Sequence, residues 1–140
     1  MIIVDTNVVS ELMRPAPEQA VLGWLRGQDE QELFTTAVTV AEIQYGLARL
    51  ADGRRKSVLQ SAAEEVFSAF GDHVLPFDRR AAAHYARIVA AREKNGRPIS
   101  GFDARIAAIA SVHQARVATR SLKDFEETGI ALVDPWEEAG

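Results

Sequence analysis

The sequence predicts an α/β domain built on a mainly parallel five-stranded sheet flanked by helices, and three observations carry that prediction. Short β-branched runs alternate with longer stretches whose apolar residues recur at helical spacing, the pattern of crossover helices laid on a parallel sheet. No connecting segment is long or biased enough to be an interdomain linker, so residues 1–140 are expected to form one domain, of a size that buries about two-thirds of its unfolded surface. Acids also recur where strands give way to helices, and in open parallel sheets ligands bind beyond those carboxyl ends.

Residues 2–4 (IIV) are β-branched and too short for a buried helix, so they read as the first strand. Helical patterns follow over 7–13 and 17–27, separated by Pro15 and Pro17. The second strand is expected at 33–38 (LFTTAV), and the next helix at 40–51, where Val40, Ile43, Leu47 and Leu50 form an apolar stripe. Gly53 precedes a helix over 54–70, and Gly71-Asp72 precede a strand over 73–77 (HVLPF). The helix over 79–95 runs into Asn95-Gly96-Arg97-Pro98. The helix over 102–114 carries Phe102, Ile106, Ile109 and His113 on one stripe, which predicts that His113 is packed and hydrogen-bonded; His73 and His84 have no spacing that suggests metal or base chemistry. Strands over 116–119 (RVAT) and 130–133 (IALV) complete the set. Abundant alanine in the helices points to close packing, within the domain or across a dimer.

Composition narrows the chemistry. The chain has no cysteine, which excludes disulfides, thiolate nucleophiles and Cys-based zinc sites and fits a reducing compartment. The start carries no signal-peptide pattern and no apolar run approaches the ~18 residues of a membrane span, so a cytoplasmic protein with no membrane association is expected. A formal charge of -4 argues against a wholly basic nucleic-acid binder but not against a local basic surface. Arg54-Arg55-Lys56 and Arg79-Arg80 are either such surfaces or simply solvated helix ends.

Three acids share one kind of position: Asp5 directly after IIV, Glu42 in the first turn after LFTTAV, and Asp103 in the first turn after the loop that ends in Ser100. Capping explains each one singly. Thr39-Val40-Ala41-Glu42 and Ser100-Gly101-Phe102-Asp103 match the capping box, and Asp5, Thr6 and Asn7 are all good N-caps. Capping does not require three acids on the same edge of one sheet. Carboxylates crowded there repel unless a proton or cation lies among them, and a hard divalent cation with oxygen ligands is the natural partner. At ~100° per residue, Glu42 and Asp103 are each turned about a quarter to a third of a turn from their apolar stripes, so both can face a cleft. Asp124, with Ser121 nearer the strand tip, is the candidate for a fourth acid or an ordinary loop residue.

IIVDTNVVSELMRP, TVAEIQYGL, ISGFDARIAA and VATRSLKDFEETGIALVDPW, taken together and in this order, resemble the PIN-domain family. Within it they resemble the VapC toxin ribonucleases of toxin–antitoxin pairs, especially the FitB-like branch. The resemblance implies a PIN-like three-layer fold and a Mg²⁺- or Mn²⁺-dependent endoribonuclease. It also implies a homodimer that assembles with a small cognate antitoxin, which blocks the site and binds operator DNA. By motif it makes Asp5, Glu42 and Asp103 the acidic metal-site residues, has Thr6 and Asn7 orient Asp5, and puts Thr119 in the polar shell. Two positions depart from the family's pattern. After Thr119-Arg120 the family commonly has Asp or Asn where this chain has Ser121, so either Asp124 supplies the missing charge or a second metal position is weak. The terminal Asn-Pro-Trp is here Asp134-Pro135-Trp136, a change expected to concern turn structure and packing.

The mechanism so implied is in-line attack by water that a bound cation activates, leaving a 5′-phosphate and a 3′-hydroxyl. Asp5 and Asp103 would be the principal ligands, with Glu42 binding through water or acting as base. Arg14, Arg49, Arg120 and Lys123, near strand ends, are candidate contacts to RNA. Two rivals stand beside this. A catalytically weak metal-binding module acting through its antitoxin is kept open by Ser121. A haloacid-dehalogenase-type phosphatase would use Asp5 covalently but wants a second acid where Asn7 stands, and a positioned lysine further along that is also absent.

Overall fold

In the computed structural model, which describes residues 1–137, the strands are β1 (Ile2–Val4), β2 (Leu33–Thr36), β3 (Val74–Leu75), β4 (Arg116–Ala118) and β5 (Leu132–Val133). The helices are α1 (Thr6–Leu12), α2 (Gln19–Arg26), α3 (Ala37–Ala48), α4 (Arg54–Phe70), α5 (Arg79–Lys94) and α6 (Gly101–His113). The sheet order is β3-β2-β1-β4-β5 and every pairing is parallel. From central β1 the chain goes first to β2 on one side and, after α6, to β4 on the other. That reversal leaves a crevice at the carboxyl ends of β1 and β4, where Asp5 and Thr119 follow their strands.

The pleat of β1 divides the core into two. Ile2 and Val4, with Ala118 of β4, pack against Val8, Val9, Val21, Ile43 and Leu47 on one face. Ile3 and Val117 pack against Ile88, Ile106, Ile109 and Phe125 on the other, as period-two alternation requires. The result is three layers, helices on both sides of the sheet. Helix α6 is buried on nearly every side through Ala104, Ile106, Ala107, Ala108, Ile109 and Ala110. Its alanines let α5 approach closely over it, so at this helix the close packing lies within the chain. Its exposed residues are Gly101, Phe102, Arg105 and His113. Phe102 is 36% exposed, and His113, expected to be packed, is exposed in the last turn.

The second strand ends two residues earlier than its sequence suggests, and the cause is its neighbour. β3 pairs with β2 only through Thr35 and Thr36, since Pro76 cannot donate to a ladder. Ala37 and Val38, left without a partner strand, enter α3 instead. Thr36 is then the cap, its Oγ1 accepting the Thr39 N–H at 3.0 Å. The expected capping box from Thr39 to Glu42 does not form: Thr39 is inside the helix and Glu42 lies in its second turn, not its first. β5 is likewise shorter than 130–133.

Other local features are structural. Gly71 ends α4 at φ 57, ψ -123, a conformation that glycine alone adopts without strain. His73 stacks on Phe34 at 4.1 Å with Nδ1 2.9 Å from the Leu33 carbonyl, and His84 Nδ1 lies 2.7 Å from Ser111 Oγ. Arg54-Arg55 and Arg79-Arg80 are exposed in the first turns of α4 and α5. Among the described residues no helix is long and apolar enough to cross a membrane.

Candidate active site

Asp5 continues the ladder beyond β1, its N–H donating to the Ala118 carbonyl at 2.9 Å, and so it lies beside Thr119. It occupies the N-cap position of α1 but makes no side-chain cap bond. Its Oδ2 instead accepts the Thr119 hydroxyl at 2.8 Å, and the residue is 4% exposed. Capping, the simplest reason for an acid here, is not what this carboxylate does. Thr119 Oγ1 accepts from Asn7 Nδ2 at 3.2 Å and from the Ser121 N–H at 3.0 Å. With both lone pairs engaged, its one proton can go only to Asp5. Asn7 also donates to Ser121 Oγ at 3.1 Å and accepts the Arg120 N–H at 3.2 Å, binding α1 to the segment after β4.

Glu42 is oriented from the other side. Thr6 Oγ1 donates to Glu42 Oε1 at 2.6 Å. Thr6 to Thr39 and Thr39 to Thr36 are hydroxyl contacts of 3.3 Å each. An ionised carboxylate only accepts, so the protons run one way, from Thr36 to Thr39 to Thr6 to Glu42. The expectation that Thr6 and Asn7 both orient Asp5 therefore needs correcting. The Thr6 hydroxyl serves Glu42, and Asn7 reaches Asp5 only through Thr119.

Asp103 is half-buried in the first turn of α6, where Ser100 Oγ accepts its N–H at 3.2 Å. Asp124 is exposed on the 3₁₀ turn Leu122–Phe125. All four acids line one pocket of about 610 Å³, together with Thr6, Asn7, Ser121, Arg14 and Arg120. Arg49 and Lys123 are not at this pocket. Arg49 caps the far end of α3, over the Tyr45 ring at 5.4 Å, about 10 Å along the helix from Glu42. Lys123 is exposed on the turn outside the lining.

The carboxyls sense one another. Burial pushes Asp5 up to about 6, with the Thr119 hydroxyl and the Thr6 backbone pulling down and the charges of Asp103 and Glu42 pushing further up. Burial also raises Glu42 against the Thr6 hydrogen bond, and Asp103 adds to the rise. Asp103 is raised by burial first and then by Asp124, while Ser100 and the Arg92 cation oppose. Yet among the described residues no three acids or histidines converge closely enough to hold an ion by themselves. The acids instead line a shared pocket, with Asp5 held by Thr119 and Glu42 by Thr6. Such donors suit a hydrated hard cation, which takes one or two carboxylates and keeps several waters. They do not suit a closed cage.

Two buried charges went unread in the sequence. Glu11, 6% exposed, lines the pocket, accepts Arg14 Nη1 at 3.0 and 3.3 Å, and accepts the Glu18 N–H at 3.0 Å. Its signal is the i, i+3 spacing to Arg14. Arg92, 4% exposed, donates to the carbonyls of Arg97, Asp124 and Glu126 at 2.6, 3.1 and 2.7 Å. It pins the turn bearing Asp124 to the loop that leads into α6, and no spacing in the sequence announces it. At the far end, Asp134 Oδ1 accepts the Trp136 N–H at 2.9 Å and Trp136 packs against the core cluster on that side. Turn structure and packing are thus what this motif supplies.

Comparison with known proteins agrees with this arrangement. The chain is 42% identical over 140 residues to VapC ribonuclease Y4jK of Sinorhizobium fredii, covering 99% of this chain and 100% of that protein. It is 38% identical to Toxin FitB of Neisseria gonorrhoeae, over 99% and 100% of the two. The solved structure of FitAB bound to an IR36 DNA fragment superposes with a TM-score of 0.88 at 39% identity, covering 97% of this chain and 96% of that one. The FitAcB crystal structure from Neisseria gonorrhoeae superposes equally well, with a TM-score of 0.88 at 38% identity, over 98% and 99%. The PIN domain model matches residues 2–130, a span that includes β1, the switch point and every acid of the pocket. The family match and these identities, on an all-parallel sheet whose acids line one pocket, show that this chain belongs to the PIN-domain family.

Proposed function

We propose that this protein is the toxin of a toxin–antitoxin pair, a Mg²⁺- or Mn²⁺-dependent endoribonuclease held inactive by a cognate antitoxin. The observation that carries the reading is Asp5, a buried carboxylate at the switch point that caps nothing, is oriented by Thr119, and is coupled to Glu42 and Asp103. Similarity to a VapC ribonuclease and to Toxin FitB supports the activity. Similarity to the FitAB–DNA structure supports an antitoxin partner through which the complex meets operator DNA. Assembly as a homodimer within that complex belongs to the same proposal.

When bound, a divalent cation supplies an activated water and neutralises charge on the phosphate oxygens. Asp5 and Asp103 are the residues that would hold it. Glu42 keeps Oε2 free while Thr6 holds Oε1, and its raised affinity for protons suits it to take one from the attacking water. No covalent nucleophile is involved, and the products are a 5′-phosphate and a 3′-hydroxyl. The covalent phosphatase route is disfavoured because Asn7, where its second acid would stand, commits its amide to Thr119, Ser121 and Arg120. One observation favours a second reading, a metal-binding module of weak activity: Ser121 is a hydrogen-bonding strut where the family commonly carries Asp or Asn.

A single assay separates the two. Antitoxin-free protein is incubated with structured RNA and Mg²⁺ or Mn²⁺, beside an EDTA control and the Asp5→Ala and Asp103→Ala variants. Metal-dependent cutting that both variants lose supports the ribonuclease. Intact RNA under every condition favours the module.

A further inference from the structure

The pocket contains two arginines, and they are engaged in different ways. Arg14 is paired with buried Glu11 at 3.0 Å. Arg120, in a pocket lined by carboxylates, makes no ion pair and no side-chain hydrogen bond among the described residues. Its guanidinium instead lies over the ring of Trp136, 4.9 Å from the centroid. Both partners are anchored through their backbones. The Arg120 N–H is held by Asn7 Oδ1 at 3.2 Å and the Trp136 N–H by Asp134 Oδ1 at 2.9 Å. Pro135 is buried, and the ring packs against the core cluster that includes Val4 and Val133.

The consequence is a guanidinium held over an indole ring, while the residue as a whole remains exposed. A guanidinium in this state keeps its donors and its second face for a ligand, with much of its side-chain freedom already lost. Such planes stack on unpaired bases, and every base has a π-face, so the contact is tolerant of sequence. We propose that Arg120 and Trp136 form a stacking subsite beside the acid pocket for one unpaired nucleotide of the RNA. The base lies on the open face of the guanidinium and the adjoining phosphate meets its N–H edge. The subsite rests on the ribonuclease reading and adds to it the means of selecting single-stranded over duplex RNA, whose stacked bases cannot reach the plane.

The test is a binding titration in EDTA, where nothing is cut. Full-length, antitoxin-free protein is titrated into a short fluorescent single-stranded RNA and, separately, into the same RNA as a duplex, following anisotropy for wild type, Arg120→Lys, Trp136→Phe and Trp136→Leu. Arg120→Lys and Trp136→Leu should each raise the single-strand Kd about tenfold, Trp136→Phe should retain most of the affinity, and duplex binding should stay unchanged. Lysine keeps the charge and loses the plane, so wild-type affinity in Arg120→Lys overturns the proposal. Equal losses on single strand and duplex overturn it as well. Arg120→Lys leaves the packed ring in place and decides the matter even where Trp136→Leu fails to fold. A parallel cleavage assay in Mg²⁺ separates the two levels. Cutting by wild type with unchanged binding in Arg120→Lys overturns the subsite alone, whereas selective binding loss without any cutting supports a nucleotide subsite and removes the ribonuclease.

Discussion

The two ends of the acid pocket are built differently. At the β1–β4 end Asp5 is buried, and the hydroxyl that orients it is itself fixed by an amide and a backbone N–H. At the other end Asp103 is half-buried and Asp124 exposed, on a turn that Arg92 grips through carbonyl oxygens. The rigid end fixes a carboxylate before any ligand arrives. The looser end leaves charge free to adapt to the cation and phosphate of the proposed reaction. The difference has an energetic side too, because a buried Asp5 held at about 6 resists ionisation, and that resistance opposes folding at neutral pH.

The largest effect should come from breaking the rigid end. Asp5→Asn should lower cleavage by on the order of a thousandfold and at the same time stabilise the fold. The sign follows from linkage: Asp5 binds its proton more tightly folded than unfolded, so its favourable contribution is complete below pH ~4 and lost as pH rises through about 6. The loss approaches roughly 3 kcal/mol above that pH. Urea denaturation at about pH 8 should then find Asp5→Asn more stable than wild type by about 1–3 kcal/mol, and at about pH 4 no different. A variant that is less stable at both would show that Asp5 is not strained by its burial.

Next in size is Thr119, whose hydroxyl orients Asp5. Thr119→Val removes the donor to Asp5 and should reduce cleavage by about 10–100-fold. Without that hydrogen bond Asp5 binds its proton more tightly still, so the acid limb of the pH–rate profile should move upward from about 6. An unmoved limb would mean that Thr119 only packs. The smallest effect belongs to the loose end: Asp124→Asn should cost no more than about fivefold in cleavage, the scale of an exposed charge. A loss equal to that of Asp103→Asn would make Asp124 a full member of the site and erase the contrast between the two ends.

The acids were legible in the sequence because their positions obey topology: Asp5 follows a strand, Asp103 opens a helix and Glu42 lies in the second turn after β2, and parallel strands bring such positions to one edge. Fold class and the three-layer arrangement follow from the same alternation. The hydroxyl wiring was harder. Thr36 and Thr39 both stand three residues before a residue they could cap, and the choice between them depends on where β3 stops, a tertiary fact. His113 and Phe102 were assigned to the core because periodicity says which face a residue is on but not how far the sheet extends beneath it. Arg92 is invisible for a related reason, and Glu11 shows only its i, i+3 spacing to Arg14. A charged residue on a helix reads as solvated until the fold supplies the partners that bury it.

Whether Asp5 is the ionisable centre of one cation-binding site is decided by calorimetric titration of Mn²⁺ into antitoxin-free protein between about pH 5 and about pH 8. Wild type should bind about tenfold more tightly for each pH unit up to about 6 and then level off. Asp5→Asn should bind weakly, without that slope. Equal affinity across the range in wild type, or tight binding by Asp5→Asn, would contradict the account.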